Sequence, residues 1–347
     1  MQPYNGGNDP QRGGVYSTGH GFYNPYAEPE WKREKKRIRA AGNGIGLASV
    51  GYVAVSFGAV LFLYAVIGSV NVLRGGNFME VGENAQWAVT LITYILSLIV
   101  PFGIYALCIQ MPIGAAFPFR KMRGDITVGG IFVGLGAGIV ASYATSYLEQ
   151  ALGLFGIGIS MPEFEIPTAL SAKIIYIITM TVAPAFIEEM VFRGIVMQSL
   201  RRFGDMFALV SSALIFGIFH LNLIQTPYAF ILGLCIGYFV MRTGSLWVGV
   251  IMHFLNNSIA TVLTLAEPYC SEEMFLFINL AYSLAAVMCG IIALCLLLVK
   301  YRDMFRFGDA PGVLSSGKRA AYFLTSPALL IAMLTAVVLT AQYIEIL

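Results

Sequence analysis

Charge is scarce in this sequence: Asp, Glu, Lys and Arg together make up 12% of its 347 residues. An average soluble domain carries about 25% charged residues, so the chain lacks the polar surface that a water-soluble fold requires. Cysteine is equally unhelpful to a small stapled fold. The five cysteines (Cys108, Cys235, Cys270, Cys289 and Cys295) form no Cys-x-x-Cys pair, and all but Cys270 lie in apolar runs, which argues against a disulfide framework or a thiolate cluster. No cleavable signal peptide is legible. Familiar catalytic signatures are missing as well: there is no Gly-x-Ser-x-Gly, no intramembrane Asp pair and no phosphate-binding Gly loop. Gly129–Gly138 lies inside an apolar run and follows no strand, so neither a nucleotide site nor a nucleic-acid partner is expected.

What is abundant is apolar. Hydrophobic residues make up 58% of the chain and the mean hydropathy is +0.75. A membrane-spanning helix needs about 20 mainly apolar residues. Nine stretches are candidates: 47–73, 87–110, 126–149, 172–200, 206–221, 227–242, 245–265, 274–300 and 321–344, the fifth and sixth being short. The expected fold is therefore all-α, a polytopic transmembrane helical bundle embedded in a lipid bilayer. Four regions follow: residues 1–45, a disordered tail with a basic juxtamembrane segment; 46–160, N-terminal spans; 170–265, a core group; and 270–347, C-terminal spans. The first 30 residues, rich in Gly, Pro, Tyr and Asn, lack the apolar content to fold alone, and Tyr4, Tyr16, Tyr23 and Tyr26 mark them as a linker or an interaction segment.

Orientation follows from Lys and Arg. Six of them lie in Lys32–Arg39, just before the first span. Placing that segment in the cytoplasm puts Arg120, Lys121, Arg123, Arg201, Arg202, Arg242, Lys300, Arg302, Arg306, Lys318 and Arg319 on the same side. The other side receives Arg74 and Lys173 and collects Glu80, Glu83, Glu163, Glu165, Glu267, Glu272 and Glu273. Nine spans with a cytoplasmic N-terminus satisfy the positive-inside rule. In the third span Gly130, Gly134 and Gly138 form a stripe suited to close helix packing.

A charged side chain at mid-bilayer costs about 2.5–3.5 kcal/mol even on the lenient insertion scale. The exceptions concentrate between 184 and 257. The fourth span contains Pro184, Glu188, Glu189 and Arg193; the fifth ends on Phe216-x-x-x-His220; the seventh contains His253, Asn256 and Asn257. Counted from the basic ends at 1.5 Å per residue, Glu188 and His220 lie about 20 Å deep, Asn257 about 18 Å and His253 about 12 Å. Helices running in opposite directions thus carry these groups to one level. Glu189 and Arg193, four residues apart, share a face and suit an ion pair, which leaves Glu188 to face a cavity; His253 and Asn257 have the same spacing. Pro184 withdraws the amide that would bond the carbonyl of Met180. Asn222, Gln225 and Tyr228 read as interfacial.

A carboxylate in a low-dielectric pocket suits proton exchange with water, and amide or imidazole groups beside it suit an oxyanion. Glu188, His220 and His253 are alternatively the residue types of a site for zinc or another divalent metal, although no His-Glu-x-x-His is present. A proton or ion transporter and a non-enzymatic scaffold remain open on these residues alone.

Glu188-Glu189-x-x-x-Arg193, Phe216-x-x-x-His220 and His253-x-x-x-Asn257 resemble the three motifs of the CPBP intramembrane proteases. That family includes CAAX prenyl endopeptidases of the Rce1 type and bacterial Abi or bacteriocin-immunity proteins. Gly244-Ser245-Leu246-Trp247 is similar to the family's lead-in to its last motif, and the resemblance spans roughly 170–265. It implies a metallo- or glutamate-type endopeptidase in a bacterial plasma membrane. Glu188 would activate water with Glu189 and Arg193 in support, while His220, His253 and Asn257 would bind a metal or the oxyanion. The partner implied is a peptide or membrane-protein substrate, with no requirement for prenylation.

Overall fold

The computed structural model describes residues 28–160, 165–308 and 312–346. The tail tyrosines and Glu163 lie outside these. Among the described residues, ten helices of nine residues or more organise the chain: α1 (Glu30–Leu73), α2 (Glu83–Cys108), α3 (Gly124–Gly153), α4 (Leu170–Phe203), α5 (Asp205–Ile218), α6 (Gln225–Thr243), α7 (Leu246–Ala266), α8 (Glu272–Lys300), α9 (Ser316–Leu324) and α10 (Pro327–Ala341). Two three-residue strands, Ile157–Ile159 and Ile344–Ile346, pair antiparallel. The molecule is an all-α bundle, and helices this long and apolar make it an integral, multi-pass membrane protein.

Among the described residues seven helices are long and apolar enough to cross a bilayer, or eight if the bent pair α9–α10 counts as one span. The nine expected spans are reduced for two physical reasons. The fifth, α5, has only 14 residues, about 21 Å against a hydrocarbon core of about 30 Å. The last is broken by 68° between Leu324 and Pro327, where proline can open a helix but not continue one. The amide of Ala328 in the new first turn is met by Asn43 Oδ1 of α1 at 3.1 Å. The basic juxtamembrane segment that follows the tail is helical from Glu30 and continuous with the first span in α1.

The basic loops assemble at one end. Glu34 of α1 is buried against Arg319 at 2.7 Å and accepts the amides of Val313 and Leu314, while Arg319 reaches the carbonyl of Phe203. Arg242 donates to the carbonyl of Asp303, and Asp125 binds Lys300 at 2.6 Å. At the opposite end the carboxylate of Glu83 accepts the amides of Thr168 and Ala169. The main core lies among α1, α2 and α4–α7, around fully buried Phe102, Phe192, Phe216 and Phe239. The glycine stripe packs as its spacing suggests: Gly130 abuts Phe239, Gly134 abuts Met252, and Gly138 faces Asn256 and Tyr228.

Candidate active site

Helix α4 carries the carboxylates, and its backbone departs from a regular helix around them. Ile178–Val182 and Glu189–Val196 are π-helical, flanking the short α-helical turn Ala183–Glu188. Wide turns of this kind appear where the i→i−4 ladder is interrupted, often at functional positions. Pro184 supplies the interruption, having no N–H for the carbonyl of Met180. That carbonyl instead accepts from Asn257 Nδ2 at 3.3 Å. The proline one turn before the first motif therefore helps to anchor the asparagine of the third.

Glu189 and Arg193 form the pair their spacing suggests, at 2.8 Å and almost fully buried. The same carboxylate oxygen accepts from His253 Nδ1 at 2.9 Å, and Arg193 rests 4.2 Å from the Phe216 ring centroid. Glu189 thus has a job the spacing did not reveal, which is to orient the His253 ring. Since a carboxylate only accepts, Nδ1 carries the proton and Nε2 turns outward, 3.6 Å from Glu188 Oε2. His220 is arranged alike, its Nδ1 lying 2.9 Å from the carbonyl of Phe216. In both rings the neutral imidazole leaves Nε2 as an acceptor and the imidazolium makes it a donor.

His220 follows α5 rather than ending it, in a turn whose next residue, Leu221, has φ +50°. A left-handed leucine is strained by about 1–3 kcal/mol and persists only where its surroundings fix it. Fully buried Asn222 does so: its Nδ2 donates to the Ser160 carbonyl, and its Oδ1 accepts the amides of Ile224 and Gln225 at the start of α6.

Glu188, His220, His253 and Asn257 line one cavity of about 350 Å³, together with Thr90, Tyr94, Gln225, Tyr228 and Asn256. Glu188 and His220 also border a second, smaller cavity that reaches Tyr52. Of the residues read as interfacial, Gln225 and Tyr228 line this cavity, while Asn222 is buried in the α5–α6 turn. Tyr94 of α2 is the main residue that the motifs did not disclose: its hydroxyl donates to Glu188 Oε1 at 2.6 Å. A tyrosine midway along an apolar span, away from both interfaces, was the only available signal.

As to a metal, Glu188 and the two outward Nε2 atoms are suitable donors by type. Among the described residues, however, no three His, Cys, Asp or Glu side chains are placed to hold an ion. The trio Glu188, His220 and His253 does not fit as a preformed ligand set.

Fold and site together define a polytopic helical membrane protein with a glutamate, histidine and asparagine cluster lining an intramembrane cavity. Residues 170–259 match the family described as type II CAAX prenyl endopeptidase Rce1-like. The match covers α4–α6 and most of α7, the segment that holds every motif residue above. No curated protein and no solved structure matches the chain.

Proposed function

We propose that this protein is an intramembrane endopeptidase in which Glu188 activates water against a peptide carbonyl. The observation that carries the reading is the position of Glu188, held by the Tyr94 hydroxyl, 3.6 Å from His253 Nε2 and facing a cavity shared with His220 and Asn257. The Rce1-like match over the same helices supports it. Glu188 takes a proton from water as the water oxygen attacks the carbonyl carbon. The developing oxyanion is met by the Asn257 amide, whose second N–H is left after its bond to Met180, and by a protonated imidazole Nε2. When the carbon–nitrogen bond breaks, Glu188 returns the proton to the leaving amine. Glu189 and Arg193 act through His253, as positioning groups. The substrate is a peptide or membrane protein presented from the bilayer, and the proposed location is a bacterial plasma membrane.

The test is cleavage by the purified full chain of two probes, a prenylated CAAX-type peptide and an unprenylated transmembrane peptide. Glu188→Gln should lower turnover by about 10²–10⁴-fold, the range for loss of a positioned acid–base group. Cleavage that survives Glu188→Gln would refute the assignment. Flux of ions through peptide-free liposomes would favour a transporter instead.

A further inference from the structure

Helices α3 and α8 cross where Gly136 meets Gly290: a Cβ on Gly136 would lie 3.0 Å from the Ala286 carbonyl and 3.3 Å from Gly290 Cα. Gaps open on either side of this crossing. The one toward the basic end is walled mainly by apolar side chains, among them Val128, Phe132, Ile292 and Leu296, with the Asp125–Lys300 pair also bordering it. The one toward the other end, about 360 Å³, is different in kind, since Ser142 and Ser146 of α3 face Asn279 and Ser283 of α8 across it. Its inner wall is Tyr228 and Asn256, which also line the cavity of Glu188. Tyr228 Oη donates to Asn256 Oδ1 at 3.0 Å, and Asn256 Nδ2 donates to Asn257 Oδ1 at 3.3 Å. Gly138 keeps this partition thin: a Cβ there would lie 3.1 Å from Asn256 Oδ1 and 3.6 Å from Tyr228 Oη.

We propose that the serine- and asparagine-lined gap is a water-holding antechamber that supplies the site across the Tyr228–Asn256 partition. The inference rests on the hydrolase reading, because each peptide bond cleaved consumes one water that must reach the membrane interior. Ser283 lies 11 residues from the start of α8, about 17 Å along it, well inside a core about 30 Å thick. Hydroxyl and amide groups from separate helices converge there on one space, and the apolar gap beyond the crossing shows that packing alone does not demand them. A site holds water when it is both roomy and polar; this gap opens outward at exposed Ser142 and Ser146, deepens at half-buried Asn279 and Ser283, and at about 30 Å³ per molecule has room for on the order of ten. The partition's side chains are themselves donors and acceptors, so water can exchange hydrogen bonds with them in passing.

The experiment introduces Ser142→Cys and Ser283→Cys singly into the full chain, reconstituted in vesicles. Both are exposed to a charged, membrane-impermeant methanethiosulfonate, with native Cys289, exposed beside the apolar gap of the same helix, as reference. Because only a hydrated thiol ionises, the introduced cysteines should react at least about tenfold faster than Cys289. Reaction with a membrane-partitioning maleimide but not with the charged reagent would mean that lipid fills the gap, and would overturn the proposal. Gly138→Leu, which thickens the partition, should reduce turnover of whichever probe peptide is cleaved by about tenfold while leaving Ser142→Cys labelling intact. Unchanged turnover would overturn the supply role, and Ser283→Leu provides the same test should Gly138→Leu fail to fold. If the parent chain cleaves neither peptide but the thiols label, the hydrolase reading falls and the hydrated cavity stands.

Discussion

Glu188 is held by one donated hydrogen bond, from Tyr94, and has the Nε2 of His253 just beyond bonding range. This is a carboxylate oriented but not neutralised, in contrast with Glu189, whose charge is matched by Arg193. Breaking a buried pair such as Glu189–Arg193 by removing one partner costs about 3–5 kcal/mol, so those two residues tolerate little change for reasons of stability as well as chemistry. Tyr94 is the cleaner probe. Tyr94→Phe keeps the ring and removes only the donor to Glu188. It should reduce kcat by about tenfold with KM nearly unchanged, because the one hydrogen bond lost is that to the proposed base Glu188. Steady-state cleavage of the probe peptide checks this, and a change confined to KM would assign Tyr94 to substrate binding.

Between elements, the decisive contact is that of α4 with α7. Gly249 lets the two approach so closely that a Cβ there would lie 2.6 Å from Glu189 Oε2 and 2.8 Å from Val240 Cγ2. Glu189 is held through its other oxygen by both Arg193 and His253, and Val240 is fully buried, so neither has room to retreat. Gly249→Ala should therefore destabilise the bundle by about 1–3 kcal/mol, the ordinary cost of overpacking, and turn His253 away from Glu188. Thermal unfolding in detergent and the cleavage rate should fall together. The short α5 works at the same scale. Because it stops before crossing the core, the turn that follows it carries His220 inward, and Asn222 and the left-handed Leu221 hold that turn in place.

Across the whole molecule, the basic end is closed by Glu34 and Arg319, which tie the first helix to the last helical pair and to the end of α4. Burial by itself would raise the Glu34 carboxyl, but hydrogen bonds from the Leu314 amide, the Arg319 guanidinium and the Val313 amide outweigh it and hold the group below its ordinary value. A carboxyl depressed on folding adds stability that is complete above its unfolded pKa, about 4.3 for Glu, and is lost as pH falls through the lower folded value. The melting temperature in detergent should accordingly drop as the medium is taken from pH 5 to pH 3. In Glu34→Gln it should start lower and lack the part of that drop due to this group. A parallel acid profile in the two proteins would show that the tie contributes nothing to stability.

Hydropathy and the placement of Lys and Arg are one-dimensional properties, and from them the helices of the bundle could be read in order. The cost of charge in hydrocarbon is as strong a constraint, so Glu188, Glu189, Arg193, His220, His253 and Asn257 stood out without any coordinates. Three things could not be seen that way. Where α6 begins after the short α5, and α10 after α9, depends on which acceptors reach the freed amides of the new helix, as Asn222 and Asn43 do here. Tyr94 is ninety-four residues from Glu188, and no local pattern joins two residues whose contact exists only when α2 packs on α4. Nor does spacing along one helix reveal that the Met180 carbonyl, released by Pro184, would be taken up by Asn257. Periodicity and solvation energy act along the chain and are written in it; the pairing of a particular donor with a particular acceptor is settled only when the helices pack.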